Sequence, residues 1–177
     1  MVWRIDLLST SKSSLKGDIG EVIAFYYLTS HGFFIVLRPV KLQKLVLKRE
    51  GSKMKHIIQE DFLLIPPHYQ ILKRDHSTLL TEEQKSFLEK RAWDFVAYKS
   101  PTALKKEGVR DWLWAWKRTP YLFEVKTVRG GGRPHKFPSP EEVEEARRLG
   151  FKPMLIVVRL LENWRADVEL SDLPPLK

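Results

Sequence analysis

Cysteine is absent from all 177 residues. That excludes disulfides and thiolate-held metals, and it points to a reducing, cytoplasmic setting. No apolar run approaches the ~20 residues of a membrane-spanning helix, so no membrane association is expected. The opening Met1-Val-Trp-Arg-Ile-Asp lacks the shape of a secretory signal. No internal repeat or long low-complexity tract occurs, and the five histidines show no metal-ligand spacing. Acidic residues are also scarce. There are 22 Asp and Glu against 31 Lys and Arg, a formal net charge of +9.

Such an excess favours a polyanionic partner, nucleic acid before a membrane surface. A solvated surface rich in Lys and Glu is the bland alternative. It does not account for the uneven distribution, since Lys99 to Lys136 holds ten Lys or Arg against three Asp or Glu. A chain of this length buries roughly 70% of its unfolded surface and needs no staples. One domain over residues 1–177 is expected, with 41–90 as a segment inserted into it.

The pattern predicts a helix over 14–31, with Ser13 or Ser14 as N-cap and Gly32 after its last turn. Ile19, Val22, Ile23 and Tyr26 form one face, and Ala24, Phe25 and Leu28 form the other, with Glu21 among them. Apolar residues on both faces predict burial on both sides, and Glu21 becomes a buried carboxylate. Phe33 to Leu37 reads as a strand closed by Arg38-Pro39. The 41–90 stretch begins basic and ends in a helix opened by a Thr81/Gln84 capping box. Trp93 to Tyr98 is a second strand, and Ser100 to Gly108 a loop with a short helix. Trp112-Leu-Trp-Ala-Trp116 alternates like a strand and turns at Arg118-Thr-Pro120 into another, Tyr121-Leu-Phe-Glu-Val-Lys-Thr127. Ser139, Pro140 and Glu142 then mark the start of a helix that Gly150 ends. An apolar strand over Pro153–Val158 and a last one near Ala166–Leu170 complete an α/β sandwich with a mixed sheet.

Strand side chains alternate, so Glu124 and Lys126 share one face and Phe123 and Val125 the other. Standing alone, Glu-Val-Lys is more often an ordinary ion pair on a half-exposed strand. Here Asp94 opens a neighbouring strand, on a face with Val96 and Tyr98, and Glu21 is added from the helix. Clustered carboxylates raise one another's pKa unless a cation joins them, and a hard divalent ion such as Mg²⁺ resolves the conflict. A lysine beside it can orient or deprotonate a water and stabilise phosphorane charge, the chemistry of phosphodiester cleavage. Asp111 competes with Asp94, because a hairpin turning at 118–120 would bring it near Glu124.

Lys16-Gly-Asp-Ile-Gly-Glu21 with Gly32-Phe-Phe-Ile-Val36, then Asp94 with Glu124-Val125-Lys126, then Phe137 to Val158 lie in the order of three nuclease motifs. In these blocks, covering roughly half the chain, the sequence resembles the PD-(D/E)XK nuclease superfamily and, within it, the archaeal Holliday-junction resolvases. The resemblance implies a restriction-endonuclease-like sandwich, a mixed central sheet flanked by helices. It further implies DNA cleavage dependent on Mg²⁺, or on Mn²⁺ in its place, and a homodimer. Glu21, Asp94, Glu124 and Lys126 become catalytic, and the metal is held by Asp94, Glu124 and the Val125 carbonyl. Lys16, Arg38, Arg129, Arg133 and Lys136 are expected to meet DNA, with His135 as a further phosphate contact. Residues 39–92 depart from the pattern by separating the first strand from the acidic one. The expected function is an endodeoxyribonuclease on branched or structured DNA, for recombination or repair. A restriction-like or repair nuclease on duplex DNA is the second reading, and a non-catalytic nucleic-acid-binding module the third. The stripe Trp112, Trp114, Trp116 serves as core, as dimer interface or as a stacking surface for bases.

Overall fold

The computed structural model describes residues 12–50, 53–65, 76–162 and 165–173. Its first helix, α1 (Lys12–Ser30), is followed by a two-residue turn and two long strands, β1 (Phe33–Glu50) and β2 (Lys53–Ile65). Next come a 3-10 turn (Ser77–Leu79), α2 (Glu82–Lys90), β3 (Phe95–Lys99), and the short helices α3 (Pro101–Lys106) and α4 (Trp112–Ala115). Strand β4 (Tyr121–Arg129), helix α5 (Pro140–Arg148), β5 (Lys152–Leu160) and β6 (Ala166–Asp172) complete the described elements.

The six strands form one sheet in the order β2-β1-β3-β4-β5-β6. Every neighbouring pair is antiparallel except β4 and β5, which are parallel and joined through α5. The protein is thus an α/β sandwich with a mixed sheet. Alternation divides the sheet's residues between two cores. Phe33, Val36, Phe95, Ala97, Tyr121, Phe123, Ile156 and Val158 pack with Ala24 and Leu28 of α1. Leu37, Val96, Tyr98, Leu122, Val128, Leu155 and Val157 pack on the other side with Phe87 and Leu88 of α2 and Val143 and Ala146 of α5.

Local signals fix the helix ends. Thr81 and Gln84 form the reciprocal capping box, and the Gln84 amide also donates to the Leu149 carbonyl at 2.8 Å, tying α2 to the end of α5. Ser139 accepts from the Glu142 N–H, with Pro140 in the first helical position. Gly32 takes a φ of +92° just past α1, a conformation open to glycine. The expected N-caps of α1 move, because the helix already includes Ser13 and Ser14.

Three expectations are corrected. Arg38-Pro39 does not close β1, which runs on to Glu50 against β2. Pro39 lies just past Leu37, the last residue paired with β3, where the ladder on that side has ended and a proline is tolerated. Trp112–Trp116 is not a strand. Trp112 and Trp116 stand one helical turn apart and are half-buried, while Leu113 and Trp114 are exposed, a division that period 3.6 produces and period 2 does not. Nor is α1 buried on both sides: Ala24 and Leu28 are fully buried, but Ile19, Val22 and Tyr26 are 40–61% exposed.

Helix α1 crosses the sheet close to β4 because residue 20 has no side chain. A Cβ on Gly20 would lie 1.7 Å from Oγ1 and 2.9 Å from Cβ of Thr127. Rotating the hydroxyl away does not relieve the second contact. Gly20→Ala is therefore expected to cost about 1–3 kcal/mol in urea unfolding, with partial recovery in a Gly20→Ala, Thr127→Gly double variant. An unchanged midpoint would show that α1 does not seat this closely.

Candidate active site

Strands β3 and β4 pair at Ala97–Tyr121, Val96–Leu122 and Phe95–Phe123, and there the ladder stops. Asp94 is the next residue back. Its N–H donates to the Phe123 carbonyl at 3.1 Å, and its Oδ2 accepts from the Val125 N–H at 2.6 Å. A side-chain oxygen thus takes over where β3 supplies no further backbone acceptor. Trp93, 4% exposed, anchors the preceding position in the core. In an antiparallel strand a residue's N–H and C=O project to the same side. The Val125 carbonyl therefore faces the side of β4 on which Asp94 lies.

Glu124 and Lys126 project together, on the side of the sheet where Leu122 and Val128 meet α2 and α5. Their side chains are 12% and 21% exposed and form an ion pair. Burial pushes the Glu124 carboxyl up to about 7, helped by the charges of Asp94 and of Glu142 in α5 and opposed by Lys126. The Asp94 carboxyl is also raised, by burial first, against the pull of the Val125 N–H, Lys126 and Arg38. Glu21 enters from α1. Its carboxylate accepts from Arg38 of β1 at 2.7 Å, yet burial and the charges of Asp94 and Asp18 still hold its pKa above the usual range. One electrostatic neighbourhood therefore gathers Glu21, Arg38, Asp94, Glu124 and Lys126 from three elements and the connection between α2 and β3.

Carboxyls raised by burial and by one another's charge are the groups a bound cation would return to their charged form. Among the described residues no group of three or more His, Cys, Asp or Glu side chains stands at metal-holding spacing. The fitting donor set is smaller and made wholly of oxygen: the carboxylates of Asp94 and Glu124 with the Val125 carbonyl. It suits a hard ion such as Mg²⁺, which takes one or two carboxylates and keeps waters. Glu21 is committed to Arg38.

The remaining expected residues lie elsewhere. Asp111 is exposed, has a left-handed backbone with φ 55°, and opens α4 without a side-chain cap bond. The residue after α4, Trp116, packs on Phe34 and Tyr98, at the opposite end of β3 from Asp94. Arg129 ends β4, five residues and about 16 Å along the strand from Glu124. Arg133, His135 and Lys136 are exposed in the loop that follows, and Lys16 is half-buried on α1. None of these makes a recorded contact with the carboxylates.

Two participants escaped the sequence reading. Glu142 registered only as a helix-cap residue, and Arg38 only as a strand terminator and DNA contact. An arginine inside an apolar run was the available signal for a buried acidic partner.

Compared with models of known protein families, with curated proteins and with solved structures, the chain has no significant match. No helix among the described residues is long and apolar enough to cross a membrane.

Proposed function

We propose that the protein is a metal-dependent endodeoxyribonuclease for branched or structured DNA, with a restriction-endonuclease-like core. The observation that carries this reading is the Asp94 carboxylate bound to the Val125 N–H between Glu124 and Lys126, with the Glu124 pKa raised to about 7. The chain order supports it. Helix α1, antiparallel β1, β3 and β4, then α5 and parallel β5 follow the sequence of elements that the resemblance implies. Strand β2 and helix α2 fall in the 41–90 insertion, and β6 adds an edge.

Asp94, Glu124 and the Val125 carbonyl would hold the ion. When bound, Mg²⁺ or Mn²⁺ polarises a phosphodiester oxygen and acidifies a water. Lys126, paired with Glu124 beside this set, would orient the attacking water and offset charge gathering on the phosphoryl oxygens. Glu21 holds the Arg38 guanidinium next to Asp94, a second fixed positive group for the substrate strand.

Labelled four-way junction, duplex, single-stranded DNA and RNA, each incubated with Mg²⁺ or with EDTA, test the reading. Paired incisions in the junction with Mg²⁺ and none in EDTA are expected. Cutting of duplex alone would move the assignment to a restriction-like or repair nuclease. Binding without cutting in any metal would leave a nucleic-acid-binding module.

A junction offers two symmetric cleavage points, so a homodimer is expected. Leu113 and Trp114 of α4 and Phe34, which packs on the neighbouring Trp116, are each about half exposed or more and form the adhesive surface we assign to it. Sedimentation equilibrium at micromolar concentration should give twice the 20.8 kDa chain mass, and Trp114→Glu should return the monomer. A wild-type monomer, with and without DNA, would favour an enzyme that nicks one strand.

A further inference from the structure

Beside Asp94 the surface opens into a cleft of about 430 Å³, lined by Arg38 and Pro39 of β1 and by Leu88 to Asp94, the end of α2 and its connection to β3. Three cationic side chains stand around it, Arg38, Lys90 and Arg91, against the carboxylates of Glu89 and Asp94. Lys90 and Arg91 are exposed and form no ion pair with a described residue, and Arg38 is oriented by Glu21. Trp93 lines the same cleft. Its indole N–H is the one buried side-chain polar group among the described residues with no hydrogen-bond partner. Such a donor is exceptional in a folded protein, and its positive end is not neutralised within the chain. With Asp94 bonded to the Val125 N–H, the cleft holds more cationic than anionic side chains, Arg38, Lys90 and Arg91 against Glu89 and Asp94.

We propose that this cleft binds a phosphate of the cleaved DNA strand next to the scissile one, held by Lys90, Arg91 and Arg38. The proposal rests on the nuclease reading and adds to it a substrate subsite built from β1, the end of α2 and the connection to β3. Volume fits this use, since 430 Å³ is within the range of a small-ligand cleft and holds one nucleotide unit. Location fits as well. The cleft shares Asp94 with the candidate metal site, so a strand crossing one passes the other. The C-terminal end of α2 would repel a phosphate by its dipole, and Lys90 and Arg91 in its last turn and at its cap reverse that sign.

The test uses two readouts. In the first, DNA carrying a single neutral methylphosphonate at successive positions around the cut is cleaved in Mg²⁺. Wild type is expected to lose about tenfold in kcat/KM at one neighbouring position, the scale of a charge-assisted contact. In a Lys90→Ala, Arg91→Ala variant that position should cost less than about twofold, because the contact is already gone. In the second, the Trp93 indole N–H resonance, assigned with Trp93→Phe, is followed in EDTA as short oligothymidylate is added. It should move in wild type and stay still in the double variant, whose thermal midpoint should be unchanged because both positions are exposed. An equal methylphosphonate penalty in both proteins, or an oligothymidylate-bound protein with an unmoved Trp93 signal, would overturn the proposal while leaving a working nuclease. Absent cleavage with a Trp93 shift that Lys90 and Arg91 control would instead sink the nuclease reading and retain the cleft as a phosphate site.

Discussion

Asp94→Asn and Glu124→Gln should each lose Mg²⁺-dependent cleavage by on the order of a thousandfold, with DNA affinity expected to stay within a few-fold of wild type. The size follows from the several kcal/mol that a correctly held ion contributes at a phosphoryl centre. Binding is expected to survive, because on the proposed reading it would rest on Lys and Arg contacts to phosphates, which neither substitution removes. The two variants differ in one respect. Asparagine at 94 can still accept from the Val125 N–H through its amide oxygen, so that variant keeps the local geometry and loses only charge. Glutamine at 124 leaves Lys126 without its ion-pair partner. Metal affinity in solution, measured by calorimetry without DNA, should fall in both. If Asp94→Asn cleaves normally and Asp111→Asn does not, the geometry described above is not the working one and Asp111 belongs to the site.

Asp94 was readable in the sequence because its strand carries its own signal. Phe-Val-Ala-Tyr is a continuous apolar run, buried on both faces of the sheet, and an aspartate at its start stands out against it. Asp111 competes with Asp94 only if Trp112–Trp116 is a strand. With three residues spaced by two, the apolar pattern fits either period over so short a run, and packing of Trp116 on Phe34 and Tyr98 decides for the helix. The long β1–β2 hairpin was hidden for another reason. Pro39 is a valid stop signal in a central strand, and what disarms it is the departure of β3 after Leu37, a tertiary event with no local trace. The partnership of Glu21 with Arg38 belongs to the same class, since the residues are 17 apart in sequence and meet through the close seating of α1 that Gly20 allows. Capped helices, by contrast, were legible almost to the residue, because Thr81, Gln84, Ser139 and Pro140 act within one turn of their own positions.

The free protein should become less stable as pH rises through the window in which its site ionises. Glu124 has an ordinary value of 4.5 and is raised to about 7 in the folded protein. The folded state therefore holds that proton more tightly than the unfolded chain does. Its contribution to stability is complete below about pH 4.5 and is lost as pH climbs to about 7. A displacement of that size corresponds to about 3 kcal/mol at most, a fall of several degrees in Tm for a domain of this length. Asp94 and Glu21, raised in the same direction, steepen the loss. Thermal unfolding in EDTA across this window should show it, and the wild-type curve minus that of Glu124→Gln isolates the contribution of Glu124. Mg²⁺ should flatten the profile, because an ion bound only by the folded state stabilises it most where the carboxylates are charged. A difference curve that is flat, or that rises with pH, would show that Glu124 is already compensated in the folded chain, and the case for a cation site between Asp94 and Glu124 would fall with it.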